Sequence, residues 1–362
     1  MSNLNSFTGL ENLEQKDIDF FQDGEIFSIS NEEAFFRGLT IIDVRTHEEF
    51  INGRIPNALN YPIFDNLERS EIGKIYKNLG KYSAINKGID FFQPKLNQFL
   101  LSLSCLKSKH IVIYCARGGM RSRAITKLLY KNGFSVSQMQ GGYKGYRRFV
   151  LQQLKKKIPS LIVLHGKTGV GKTLLLKKLP NHLDLEDLAQ HRSSVFGAIN
   201  KIPNNQKNFE ALLVERLRGV SNNFPVFVEG ESRKVGKVFI PEGLANSMKR
   251  ATFVLMHASI KTRVRRIVKE YQICDEATFS QINEILGSLN QSMGRSKIEK
   301  MRWWLKHGDI ENIVHMLLVD YYDPRYQNSM KKYKFAMKIS TENLDQAAND
   351  LINFRKKLIQ NK

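Results

Sequence analysis

The chain contains no run of apolar residues approaching the roughly 18 to 20 that a membrane-spanning helix needs. Its opening stretch, MSNLNSFTGLENLEQKD, lacks the basic segment and apolar block of a secretory leader. A cytoplasmic protein without a membrane partner is expected. Cysteine is scarce: Cys105, Cys115 and Cys274 are too few for a disulfide framework, and no CxxC or His/Cys cluster offers a zinc site. Acidic residues are short as well, 35 Asp and Glu against 56 Lys and Arg, a formal charge of +21. That excess favours a polyanionic partner, because cations bound to phosphate backbones release condensed counterions. A lysine-rich composition serving only solubility gives the same sum. No internal repeat and no low-complexity segment is present, which excludes solenoids and propellers.

What is there is the balance of a folded protein, 42% hydrophobic and 25% charged over 362 residues, and enough chain for two cores. Residues 40–44 (TIIDV), 110–114 (HIVIY) and 136–139 read as buried strands, 53–62 as a turn into another, and 123–132 as a helix. Residues 64–103 add helices. Strands alternating with helices predict α/β architecture with a parallel sheet. A second α/β unit opens with the strand 161–164 and the helix 174–179, continues with strands at 225–228 and 252–256, and is mostly helical from Lys261 onward. The expected division is an N-terminal extension (1–37), a first domain (38–148), a basic helical linker (149–159), a second domain (160–335) and a C-terminal tail or helix (336–362).

Two loops carry chemistry. Between a strand end and a helix start lies Cys115-Ala116-Arg117-Gly118-Gly119-Met120-Arg121-Ser122. Paired glycines let backbone amides converge into an anion nest, and the helix adds its positive end. With Arg117, Arg121 and Arg123 close in sequence, Cys115 is expected to ionise readily and act as a nucleophile. As a bare residue type it is equally a small buried hydrophobe. Cys105 and Cys274 lack such neighbours.

The second loop, Gly166-Lys167-Thr168-Gly169-Val170-Gly171-Lys172-Thr173, satisfies the phosphate-loop pattern between a strand and a helix. Gly166, Gly169 and Gly171 allow the amides to wrap a diphosphate, Lys172 reaches its terminal oxygens, and Thr173 holds Mg²⁺ if a metal is present. The next strand runs into Glu229-Gly230-Glu231-Ser232-Arg233 rather than a metal-binding Asp. Glu229 and Glu231 either take that role or pair with Arg233 and nearby lysines. The pattern says diphosphate more firmly than it says ATP.

The first half resembles a rhodanese domain, through IIDVRTHEEF (41–50), GRIPNALNYP (53–62), the CARGGMRS loop and GGYKGYR (141–147). In that family the loop cysteine takes sulfur or selenium from an anionic donor, which implies the same for Cys115. Asp43 and Arg45 match a DVR of structural use. Arg54 stands where many members have His, and the insert before Cys115 is long. The order of the two halves, with DLEDLAQHRSSVFG (184–197), EGESR (229–233) and YYDPRY (321–326), resembles the tRNA 2-selenouridine synthase family over about residues 38–335. Gly230 and Ser193 depart from it.

The resemblance implies a rhodanese-like parallel-sheet domain followed by a P-loop NTPase-like α/β domain with a helical C-terminal part. It implies a monomeric transferase that geranylates wobble 2-thiouridine in the tRNA anticodon arm and then replaces sulfur by selenium. The implied donors are geranyl diphosphate, held by Gly166, Gly169, Gly171, Lys172 and Thr173, and selenophosphate, held by Arg117, Gly118, Gly119, Met120 and Arg121. No tightly bound cofactor is expected, with Thr173 as the metal contact if Mg²⁺ is used. Glu229, Glu231, Arg233 and His191 support the phosphate loop in this reading, His191 being equally a structural histidine. Basic clusters at 155–157, 261–269, 295–302 and 331–334 would meet RNA phosphates, and Trp303, Trp304, Tyr321 or Tyr322 are either core or stacking platforms. The rivals are a sulfurtransferase fused to an ATP-dependent kinase or hydrolase, and a non-catalytic RNA-binding regulator.

Overall fold

The computed structural model describes residues 26–360 except Ser193, Asn222 and 272–274, and leaves aside the side chains of 35, 36 and 327–329. Ser193, Cys274 and most of the expected N-terminal extension thus lie outside the described residues. The chain divides into two compact units between Gln153 and Leu154. No described helix is long and apolar enough to cross a membrane.

The first unit is built on five strands, β1 (Ser28–Ile29), β2 (Thr40–Asp43), β3 (Leu59–Asn60), β4 (Ile111–Tyr114) and β5 (Val136–Met139). Their order is β1-β5-β4-β2-β3, every neighbour parallel. The runs TIID and IVIY suit this position because a parallel sheet is covered on both faces and needs apolar side chains on both. All of β4 is buried. The long insert is part of the core: Phe64 and, from helix 96–103, Phe99, Leu100 and Leu103 pack with Ile42 and Ile113. The sheet begins earlier than residue 38, since β1 pairs with β5 ahead of helix 31–37. The expected helical linker is also revised. Residues 142–153 form one helix of this unit, anchored by the buried Tyr146, Phe149 and Val150.

The second unit repeats the principle with β6 (Leu161–Gly166), β7 (His182–Leu183), β8 (Val226–Glu229), a hairpin of β9 (Lys234–Val235) and β10 (Val238–Phe239), β11 (Thr252–His257) and β12 (Phe335–Ser340). The parallel order is β12-β11-β6-β8-β7. From Lys261 onward the chain is mostly helical, as expected, and 344–360 is a helix; the one departure among the described residues is the strand β12. Its sequence FAMKIS alternates half-buried and exposed positions, as an edge strand does, and hides the apolar run that marked the central strands. Helix 344–360 then returns Ala347, Ala348 and Leu351 onto Ile162, Leu164 and Met256. Between β11 and β12 the helices 260–270, 276–288, 295–306 and 310–316 enclose a second apolar core. A π-helical turn, Leu317–Tyr322, precedes Pro324, whose missing N–H and bulky ring disfavour an ordinary turn there.

Leu351 is fully buried at the sheet. Leu351→Ala is expected to destabilise the second unit by about 2 to 5 kcal/mol in denaturant unfolding, an effect that a loose tail would not produce.

Candidate functional site

The chain leaves β4 at Cys115, which is 3% exposed. Helix 120–131 starts after Gly119 without a side-chain cap, so its first amides stay available to the loop. The loop is held against the 141–145 turn: Tyr143 N–H donates to the Cys115 carbonyl (2.8 Å) and Lys144 N–H to that of Ala116 (2.9 Å). Gly142, at φ 52°, sits so close that a Cβ would come within 2.3 Å of the Cys115 carbonyl oxygen. Gln138 Nε2 donates to the Gly118 carbonyl (2.9 Å) and to Ser122 Oγ (2.8 Å), and Ser122 Oγ lies 3.2 Å from the Cys115 sulfur.

Burial pushes the Cys115 thiol up, but the Ser122 hydroxyl, the Arg121 charge and the amides of Arg117 and Ser122 outweigh it. The net direction is below the ordinary thiol value. Arg121 is itself gripped by Glu49 through two bonds of 2.8 and 3.2 Å. Arg69, from helix 66–78 of the insert, feels Arg121, Glu49 and Cys115, so a further guanidinium borders the thiol. Arg45 braces the site from below: it bonds Asp43 and the Gly53 carbonyl, and lies 4.2 Å from the Tyr143 ring centre.

In the second unit β6 ends at Gly166, and Gly171, at φ 89°, opens helix 172–176. Arg263 Nε donates to the Thr168 carbonyl (2.8 Å), and Arg266 Nη1 and Thr341 Oγ1 to that of Val170 (both 2.8 Å). Because a trans peptide points its N–H opposite its C=O, the amides of Gly169 and Gly171 are turned the other way, into the loop. Asp323 completes the clamp, accepting from Lys167 (2.8 Å) and from both Nη atoms of Arg263 (2.9 and 2.6 Å).

Lys172 is largely buried, 3.7 Å from Glu231. Burial pushes its pKa down, but Glu231, Tyr326, Glu186 and Glu229 raise it above the ordinary lysine value, so it stays charged. Oxygens of Glu186, Glu229 and Glu231 lie within 4.8 Å of one another. Glu229 is fully buried; its Oε1 accepts from the Glu186 N–H (2.7 Å), and its Oε2 has no hydrogen-bond partner. Burial, then Glu186, Asp184 and Glu231, push Glu229 well above the usual carboxylate range, and Asp184 is raised to about 6. Thr173 Oγ1 donates to Glu186 (3.3 Å). A buried, partnerless oxygen among carboxylates and a hydroxyl fits a hard divalent cation such as Mg²⁺.

From this loop a cavity of about 570 Å³ runs into the helical core. Loop residues 167–173 and Glu186 form one polar end; Phe196, Ile282, Leu305, Val314, Leu318 and Tyr322 supply an apolar wall, and Arg192, Ser194, Lys201, Lys269 and Glu270 add a second polar stretch.

The family model described as the tRNA 2-selenouridine synthase AAA domain matches residues 159–356, and that of the rhodanese-like domain matches 30–149. A protein of Psychromonas ingrahamii named tRNA 2-selenouridine synthase is 30% identical over 340 residues, covering 83% of this chain and 92% of its own. One of the same name from Hahella chejuensis is 29% identical over 82% of this chain and 87% of its own. The chain belongs to the tRNA 2-selenouridine synthase family. It is therefore an enzyme of that family, with a rhodanese-like unit followed by an α/β unit. Among solved structures, the N-terminal domain of a Clostridium difficile 630 protein named for ATP/GTP binding is 47% identical over 34% of this chain and 98% of that one, with a TM-score of 0.33.

Within this family member the residues singled out by sequence fall into three groups. Cys115, Gly118, Gly119 and Arg121 meet at the thiol, and Gly166, Gly169, Gly171, Lys172, Thr173, Glu229 and Glu231 meet at the phosphate loop. Arg117 is exposed and contributes to the thiol through its amide, while Met120 is exposed at the helix start. Arg233 is exposed, and the carboxylate of Glu231 pairs with Lys172, at 3.7 Å. The His191 ring lies against Gly197 and Gly236, where a Cβ would approach within 2.5 and 2.4 Å, and its Nδ1 is buried without a hydrogen-bond partner among the described residues. Trp304 and Tyr322 join the helical core, and Trp303 is exposed and stacked on His307. Sequence reasoning assigned no role to Ser122, Gln138, Glu49, Arg69 or Asp323, although Asp323 sits in the YYDPRY motif; it placed Arg263 and Arg266 in a basic cluster for RNA phosphates, whereas both are turned onto carbonyls of the phosphate loop.

Alkylation of Cys115 by iodoacetamide, followed by peptide mass spectrometry, is expected to reach half its plateau rate at a lower pH in the wild type than in Ser122→Ala. Thiolate is the reactive form, and the variant loses the first of the groups that favour it. Coincident profiles would contradict the assignment.

Proposed function

We propose that this enzyme converts wobble 2-thiouridine of tRNA into 2-selenouridine through an S-geranyl intermediate, using geranyl diphosphate and selenophosphate. The names of the family and of the curated relatives support the overall conversion. The observation that carries the prenyl donor is the continuity of the phosphate loop with the apolar wall of the cavity. Phe196, Ile282, Leu305, Val314 and Leu318 offer a branched hydrocarbon chain apolar contact within reach of the loop, and the volume lies in the usual range for small ligands.

In this reading the amides of Gly169 and Gly171 and the Lys172 ammonium hold the diphosphate. As the uridine sulfur forms its bond to C1 of the prenyl chain, the C–O bond breaks and these donors receive the growing negative charge. Glu186, Glu229, Glu231 and Thr173 would hold Mg²⁺, which supplies further positive charge to the departing diphosphate. At the other loop, the nest of residues 117–121 and the Arg121 and Arg69 guanidiniums bind selenophosphate, with Cys115 as the selenium-carrying nucleophile. The selenium carried on Cys115 then bonds to C2 of the modified uridine as the C2–S bond breaks and the geranyl thiolate leaves, and an external thiol attacks the Cys115 sulfur, breaking the S–Se bond to release 2-selenouridine and leaving Cys115 in a mixed disulfide that a second thiol reduces.

Nucleoside mass spectrometry of tRNA from cells carrying single variants tests both halves. Cys115→Ala is expected to abolish 2-selenouridine while S-geranyl-2-thiouridine accumulates, and Lys172→Ala to block geranylation. Unchanged 2-selenouridine in the Cys115 variant would refute the assigned nucleophile. ATP turnover with no response to geranyl diphosphate would refute the donor. By calorimetry, Glu229→Gln is expected to weaken Mg²⁺ binding at least about tenfold, since it removes a charged ligand from a hard-cation site.

A further inference from the structure

On one face of the second sheet, Ile162, Leu164, Val254, Met256 and Ile339 point into the core beneath helix 344–360. Side chains alternate along a strand, so His165, Phe253 and Leu255 turn to the other face, where all three are only half-buried. Tyr333, just before β12 and 37% exposed, closes an aromatic cluster there. Its ring centre lies 4.3 Å from that of His165, 4.8 Å from Phe253 and 6.2 Å from Phe335. Lys331, Lys332, Lys334 and Lys338, which flank Tyr333 and Phe335 in the chain, are all exposed. The segment KKYKFAMK (331–338) contains no acidic residue, and none of these lysines makes an ion pair among the described residues.

The cluster is continuous with the phosphate loop. His165 directly precedes Gly166, and a Cβ on Gly230 would fall 2.5 Å from His165 Nδ1, so the imidazole packs on the turn that carries Glu229 and Glu231. This contact also accounts for glycine at 230: a side chain there would displace the ring. A tightly packed ring beside a half-exposed tyrosine is a surface onto which a planar base can stack, and every base has such a face.

We propose that the Tyr333–His165–Phe253 face is where the substrate uridine stacks, with Lys331, Lys332 and Lys334 gripping the flanking RNA phosphates. The proposal rests on the tRNA reading above and adds the surface that delivers the base. It puts the uridine beside the loop that holds the diphosphate, where its sulfur must meet the prenyl carbon. Lysines without an ion-pair partner among the described residues favour a polyanion over a protein partner, and a half-exposed ring cluster favours unpaired bases over duplex backbone.

The test measures binding of full-length protein to an anticodon stem-loop RNA carrying 2-thiouridine, over a range of salt, with geranyl diphosphate binding followed in parallel by calorimetry. Tyr333→Ala is expected to weaken RNA binding about tenfold, and Tyr333→Phe to restore it. Replacing Lys331, Lys332 and Lys334 together by Ala should lower the logarithmic salt slope by about 2 to 3. Geranyl diphosphate affinity should hold in every variant. RNA affinity and salt slope unchanged in both Tyr333→Ala and the triple variant would overturn the platform while leaving the tRNA reading intact. Equal loss of diphosphate binding in Tyr333→Ala would also overturn it, because the ring would then be holding the sheet edge. A wild-type protein that ignores the RNA would overturn the tRNA reading itself.

Discussion

A parallel sheet delivers every strand's C-terminal end to the same edge, and both reactive loops of this chain depend on that constraint. Cys115 leaves the end of β4 and the phosphate loop leaves the end of β6, each strand central in its own sheet and each followed by a helix whose first amides need a partner. The strands supply the rigidity and the helix starts supply the positive potential. An anion is the natural occupant in both units, although one loop surrounds a thiol and the other an ammonium.

Electrostatics separates the two loops. Around Cys115 the positive groups exceed the negative, with Glu49 absorbing part of Arg121, and the balance tips toward a thiolate despite burial. Around Lys172 the carboxylates of Glu186, Glu229 and Glu231 crowd together out of water, a costly arrangement for a structure that wanted only stability. Their mutual repulsion is relieved by protons or by a cation, while Lys172 remains charged among them. The clamp through Arg263, Arg266 and Asp323 keeps the loop open toward that charge, in a shape the loop amides alone would not hold.

The parts legible in the sequence are those whose chemistry is local. GKTGVGKT and CARGGMRS announce themselves because a glycine-rich turn between an apolar strand and a helix has few other uses, and TIID and IVIY are legible because a doubly covered strand must be apolar throughout. What escaped depends on distance along the chain. Asp323 meets Lys167 across 156 residues, and Arg69 borders Cys115 only because the insert folds back over the thiol. The strand FAMKIS resembles surface helix as much as sheet edge, since only one of its faces meets the core. Within the basic cluster 261–269, Arg263 and Arg266 hold carbonyls of the phosphate loop about a hundred residues away, a use that spacing along the chain does not announce.

The interlock of the thiol loop with the 141–145 turn has a consequence for how this enzyme tolerates change. At Gly142 and Gly118 a single added carbon would collide with main-chain atoms of the opposite loop, at 2.3 and 2.9 Å respectively. Neither residue touches a donor through a side chain, yet replacing either would move the sulfur as surely as replacing a ligand. A mutational scan of this enzyme would therefore mark as indispensable two positions that perform no chemistry. The tolerance map of the first unit traces the shape of its backbone before it traces its reactive groups.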